Sequence, residues 1–205
     1  MTNTVYTIGH SVHSIQEFVG LLARHQITAV ADVRSSPYSR FNPQFNRETL
    51  KSALDNAGIQ YVFLGHELGG RSSDRGCYVR GQVCYELLAG APPFQRGLDW
   101  VVQGVEEHHI ALMCAEKDPL ACHRAILVSR HLAARGLVVL HILANGALES
   151  QNDAVTRLLA ELHLPDHDLF RSHDEIVDEA FHRRAEEIAY AEAAPTEKQE
   201  ASGTK

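Results

Sequence analysis

Four cysteines, at positions 77, 84, 114 and 122, are all that this chain of 205 residues holds. Disulfide staples belong to small secreted scaffolds, so four cysteines in a chain long enough for one real core read as thiols. Long hydrophobic runs are also missing. The longest, such as "GLVVLHILA", fall well short of the ~20 residues that a bilayer-spanning helix needs. The opening "MTNTVYTIGH" lacks the basic start and apolar segment of a secretory signal, so a cytoplasmic location is expected. No "GxxxxGK[ST]" occurs, and no "GxGxxG" follows the first strand. The usual nucleoside-triphosphate and dinucleotide sites are therefore set aside.

Lysine is scarce too, with four against fifteen arginines, and arginine is the residue suited to bidentate grip on phosphate or carboxylate. The formal net charge of −7 is unevenly spread: Arg34 to Arg80 holds seven bases and four acids, while Asp166 onward holds eleven acids and five bases. A negative field away from the basic stretch argues against broad non-specific DNA binding, whereas a focused anionic pocket is compatible with it.

What is present is a regular alternation. "TVYTIG" (4–9), "ITAVADV" (27–33), "IQYVFLG" (59–65), "IALMC" (110–114) and "LVVLHIL" (137–143) read as strands. Helices are expected at 14–25, where Ser14 and Glu17 have capping-box spacing, at 46–58, stopped by Gly58, and within 92–109 and 152–164. Another opens at Pro119, with Asp118 as its cap and Cys122 in or just past its first turn. Residues 66–81 look too irregular for either period. The order predicts one α/β domain over 1–165: a three-layer, Rossmann-like fold with a mainly parallel sheet of about five strands and helices on both faces. An acidic extension, 166–205, is expected to form a helix and then a disordered end, "PTEKQEASGTK", and to carry no chemistry.

Ligands of open parallel sheets bind beyond the carboxyl ends of the strands, and the unusual residues gather there. Strand one ends in Gly9, His10 and Ser11; strand two in Asp32 and Arg34. Strand three runs into His66, Glu67 and Arg71, and strand four into Cys114 and Glu116. Cys122, at the start of a helix and near Arg124, has the setting of a reactive thiolate. His10, Asp32, Arg34, Glu67, Arg71, Cys114 and Arg124 are expected to line one cleft.

Four blocks, "YTIGHS", "DVRSSPYSRFNPQFN", "YVFLGHELGGR" and "CAEKDPLACHR", resemble the signature blocks of the domain of unknown function 488 family of bacterial and archaeal proteins. The match runs from about Val5 to His141. The resemblance implies a compact α/β domain with these blocks clustered, and supplies no reaction. It implies site positions at His10 and Ser11, Asp32 and Arg34, and Pro37 and Ser39. It adds Glu67 with Gly69, Gly70 and Arg71, and then Cys114, Glu116, Cys122, His123 and Arg124. Cys77 and Cys84 fall outside the blocks and are read as incidental.

The chemistry narrows by elimination. A cysteine-phosphatase loop needs an arginine six positions past the thiolate, but Arg124 is ten beyond Cys114 and two beyond Cys122. Cys114 and Cys122, eight apart, fit no common zinc-finger spacing. No metal is assigned, although a mixed set from Cys114, Cys122, His123 and His10 is geometrically open. The leading reading is an enzyme acting on an anionic small molecule or nucleotide, or a nucleic acid. His10, Asp32, Glu67, Cys114, Glu116, Cys122 and His123 are its catalytic candidates. Ser11, Arg34, Ser39, Arg71 and Arg124 are its substrate contacts. A non-catalytic anion- or nucleic-acid-binding module and a thiol redox or metal sensor are the alternatives. The sequence specifies neither a cofactor nor an oligomeric state.

Overall fold

Successive strand residues point to opposite sides of a sheet, so each strand here divides its apolar residues between two cores. A computed structural model describes residues 3–192; the expected disordered end lies outside the described residues. The strands are β1 (Thr4–Gly9), β2 (Ala29–Asp32), β3 (Gln60–Phe63), β4 (Tyr78–Val79), β5 (Gln82–Val83), β6 (Ile110–Cys114), β7 (Val138–Ile142) and β8 (Leu148–Ser150). Six of them form one sheet in the order β3-β2-β6-β1-β7-β8, parallel except for β8 at the edge. β4 and β5 make a separate hairpin.

The helices are α1 (Ile15–Arg24), α2 (Arg47–Asn56), α3 (Gly65–Leu68), α4 (Tyr85–Gly90), α5 (Pro92–Gly104), α6 (Arg130–Ala134), α7 (Gln151–Glu161) and α8 (His173–Ile188). On one sheet face, Ile8, Val30, Ala111 and Met113 pack with Phe18 and Leu22 of α1 and Leu50 and Leu54 of α2. On the other, Val5, Ala31, Leu112 and Cys114 pack with Phe94 and Leu98 of α5, Leu158 of α7, and Ile176 and Phe181 of α8. The result is three layers. Ser14 caps α1 through the expected reciprocal bonds with Glu17, and Gly58, at φ 72°, ends the turn after α2.

Three local features depart from the expected pattern. The irregular stretch before α4 contains α3 and the β4–β5 hairpin, whose turn residues Arg80 and Gly81 both have positive φ, 52° and 81°, as a two-residue type I′ turn requires. A sixth strand, β8, folds back on β7. The helix expected from Pro119 is interrupted: Asp118 does cap, accepting from the Leu120 amide at 2.9 Å, but only a 3₁₀ turn (Pro119–Ala121) follows. Cys122 is then extended (φ −141°, ψ 140°), and a new helix begins whose first part, Arg124–Ser129, is π-helical and fully buried before continuing as α6. α8 is no loose appendage, since Ile176, Ala180 and Phe181 belong to the main core.

Candidate active site

The break in the helix positions the site. At Cys122 the chain is extended and at His123 it turns helical (φ −57°, ψ −24°), so two consecutive side chains come together instead of diverging. β6 delivers Cys114 to the same spot from its last position, and Glu116 reaches back from just beyond it. The Glu116 carboxylate accepts hydrogen bonds from both thiols through Oε2, at 3.0 Å each. Nδ1 of His123 lies 3.8 Å from each sulfur. Its Nε2–H donates to the Val33 carbonyl at 3.0 Å, which leaves Nδ1 free to face the sulfurs as an acceptor. The Arg124 amide donates to Cys122 Sγ at 3.4 Å.

Gly70 makes room for this arrangement. A Cβ there would lie 2.9 Å from Cγ of the His123 ring, so the "GGR" backbone rests directly on the imidazole. Gly9 does the same for the loop beneath, where a Cβ would lie 1.8 Å from the Glu116 carbonyl oxygen.

The two cysteines shift each other's ionisation in opposite directions. The hydrogen bond between them, burial and the adjacent Cys122 push the Cys114 thiol well above the usual range. Burial also opposes the Cys122 thiolate, but Cys114, Arg124 and His123 outweigh it and hold the Cys122 thiol well below the usual range. Burial pushes the Glu116 carboxyl up, helped by the charge on Cys122. For His123, burial disfavours the cation, yet Cys122 and Glu116 raise its pKa.

A pocket of about 490 Å³ opens onto this group. Cys114, Glu116, Cys122 and His123 line it, with Arg34, Arg71, Ser35, Tyr38 and Tyr85 around them and Ile188 and Tyr190 closing one side. The Arg71 guanidinium lies over the Tyr190 ring, 4.2 Å from its centre, and has no carboxylate partner among the described residues. The acidic extension, expected to carry no chemistry, thus supplies part of the wall.

Other expected site residues lie elsewhere. His10 and Asp32 project toward the α1–α2 face, two residues along from Ile8 and Val30 respectively, and Arg34 is held on Asp32 while still reaching the pocket lining; Cys114 projects toward the opposite face. His10 is buried, stacks on Phe45 with ring centres 4.3 Å apart, and donates from Nδ1 to the Ser11 carbonyl. Burial, with Arg34 beside it, lowers its pKa to about 4. It belongs neither to the pocket lining nor to a metal set with the two cysteines. Asp32 is fully buried, gripped by Arg34 Nε (2.9 Å) and Nη2 (2.6 Å) and by the Tyr61 hydroxyl (2.9 Å). Arg34 is 5% exposed and also donates to the Phe45 carbonyl, so most of its fork is committed.

Arg124 is 0% exposed and absent from the pocket lining. Its guanidinium donates to the carbonyls of Glu116 and Lys117, pinning the loop after β6 rather than binding a ligand. Ser39 accepts from the amides of Phe41 and Asn42 and shapes its own loop. Pro37, buried, accepts the Arg47 amide. Ser11, at φ 46°, bonds to the Ala115 carbonyl through its amide. The Glu67 stem packs near Gly97 of α5, outside the pocket. Only Arg34, Arg71 and Cys114 of the expected cleft-lining set meet in the pocket, joined there by Glu116, Cys122 and His123.

A model of the family described as a domain of unknown function, DUF488, matches residues 14–131, more than half of the chain. The chain belongs to the DUF488 family. No curated protein and no solved structure matches it. The matched segment holds β6, both site cysteines, Glu116, His123 and Arg71, while α8 and Tyr190 lie beyond it.

Proposed function

We propose that this DUF488 protein is an enzyme acting on a small anionic molecule in the pocket above Cys114, Glu116, Cys122 and His123. The observation that carries this reading is the convergence of two thiols, a carboxylate and an imidazole on the floor of one open pocket, beside an arginine that has no acidic partner among the described residues. Buried ionisable groups displaced from their ordinary pKa values, clustered in a cleft, are the usual mark of a catalytic site. A pocket of about 490 Å³ suits a small ligand rather than a nucleic-acid strand, and the net charge of −7 weighs the same way.

Arg71 is the anion contact. Arg34, held by Asp32, is mainly a wall, and Arg124 holds the loop beneath. The test is thermal unfolding against inorganic phosphate and sulfate, because a ligand that binds only the folded state stabilises it. The midpoint is expected to rise with either anion in the parent and to stay flat in Arg71→Ala. An equal rise in both proteins removes Arg71 from the site, and no rise in the parent removes the anionic-substrate reading.

A further inference from the structure

We infer that Cys114, Cys122 and His123 form a binding site for one divalent zinc-type ion, with Glu116 beside its fourth position. The inference rests on the same pocket being the functional site and names the cofactor that this site would take.

Three observations support it independently of any acid–base argument. The first is convergence: one ligand atom from each of the three residues lies within 4.8 Å of the others, and among the described residues no other group of histidine, cysteine and acidic side chains gathers this way. Tetrahedral zinc, with bonds of about 2.3 Å to sulfur and about 2.0 Å to nitrogen, sets sulfur and nitrogen about 3.5 Å apart. The 3.8 Å from each sulfur to His123 Nδ1 therefore needs an adjustment of only a few tenths of an ångström.

The second is orientation. Metal-ligating imidazoles characteristically donate their other N–H to a carbonyl or carboxylate, which fixes the tautomer and aims the free nitrogen. His123 does this through Nε2 to Val33, at 3.0 Å.

The third is softness and access. Two thiolates and one imidazole select zinc and its neighbours over magnesium or calcium. Three protein ligands open to a cavity on the remaining side are the pattern of a catalytic rather than a structural zinc site. Uptake balances as two metal–sulfur bonds formed from two thiolates, one proton released for each sulfur that still carries its S–H bond, and neutral His123 donating its Nδ1 lone pair. Glu116, which in this arrangement accepts from both thiols, would then face the ion's open position and any water held there.

The test uses the full chain, purified under reducing conditions without a metal-affinity tag. Elemental analysis is expected to find zinc at one ion per chain. After chelation, added cobalt(II) should produce a near-ultraviolet thiolate-to-cobalt band together with visible bands of tetrahedral intensity. Cys114→Ser and Cys122→Ser should abolish the near-ultraviolet band or sharply weaken it, and Cys84→Ser should leave it unchanged. Should the serine variants fail to fold, alkylation of the parent decides without them. Zinc should protect Cys114 and Cys122 from labelling while Cys84 reacts equally with and without metal.

A chelated, folded protein that gains no cobalt band overturns the metal site, as does unaltered labelling of Cys114 and Cys122 in the presence of zinc. Gentle oxidation that joins Cys114 to Cys122 in protein already saturated with zinc also overturns it, in favour of a redox pair. Phosphate stabilisation that depends on Arg71 but not on zinc would leave the proposed substrate class standing while the metal falls. Zinc binding without any phosphate response would do the reverse.

Discussion

Arg34 and Arg124 differ from Arg71 in what surrounds them, not in chemistry. Two are enclosed by acceptors of the fold itself, and the third lies at a pocket wall with an aromatic ring beneath it. A buried guanidinium that answers a buried carboxylate is costly to remove, because the partner is left charged without compensation. Arg34→Ala is therefore expected to lower unfolding stability by about 3 kcal/mol, read from the urea midpoint. Adding Asp32→Asn should recover part of that loss. A cost below about 1 kcal/mol would mean that Tyr61 and the Arg34 amide satisfy Asp32 by themselves. Sequence shows where the arginines stand, but not which of them the fold consumes. That depends on carbonyls brought in by distant segments, such as Phe45 for Arg34 and Lys117 for Arg124.

At the scale of elements, legibility followed periodicity. The largely apolar β2, the all-apolar β6 and the capped α1 are readable because local pattern and tertiary role agree. β8 escaped notice although Asn145–Gly146, a strong hairpin signal, stands between β7 and β8 with Gly146 at φ 78°. The parity of the strands was also available. His10, an even number of residues from Ile8, had to share that residue's face, and Cys114, in step with Leu112, had to take the other. The single cleft expected for His10 and Cys114 conflicts with that count.

The break at Cys122 left no comparable trace, since Asp118 and Pro119 begin a turn equally well whether or not a helix continues. The role of α8 depends on a surface to pack against, which an acidic sequence does not announce. Phe181, 4% exposed with Arg130 stacked on its ring, tests that role. Phe181→Ala should cost about 3 kcal/mol in a single cooperative transition. A transition unchanged in midpoint would make α8 an independent appendage.

The molecule buries two histidines whose pKa values burial lowers, His10 and His141. His141 is the clearest: fully buried in β7, it accepts from the Thr7 hydroxyl at Nδ1 and donates from Nε2 to Gln151 Oε1, each at 2.8 Å. Burial lowers its pKa from 6.5 to about 4, with the nearby Arg124 charge acting the same way. The unfolded chain takes up a proton at higher pH than the folded one, so this contribution is intact above pH 6.5 and is lost as pH falls toward 4. His10 acts in the same direction, while the raised pKa values of His123 and His182 oppose it. Comparison with His141→Gln isolates the one residue. Between about pH 6.5 and 5 the parent should lose about 2 kcal/mol more than the variant, measured by urea unfolding. Parallel pH profiles would mean that His141 titrates alike in the folded and unfolded chains.

The π-helical segment from Arg124 to Ser129 has a consequence best put in terms of chain length. A π turn accommodates one residue more than an α-helix would between the same two ends. That surplus lies between the Cys122–His123 pair and the helix that anchors Leu132 in the core. Loss of one residue there leaves an ordinary α-helical spacing between the same two ends, so Leu132 and the cysteine pair both keep their places. Gain of one residue finds no such reserve: one side would rotate by about 100° relative to the other, and either Leu132 leaves the core or the cysteine pair leaves Glu116. The segment is spare length already drawn out, and in this stretch a gap of one is a lighter change than an insertion of one.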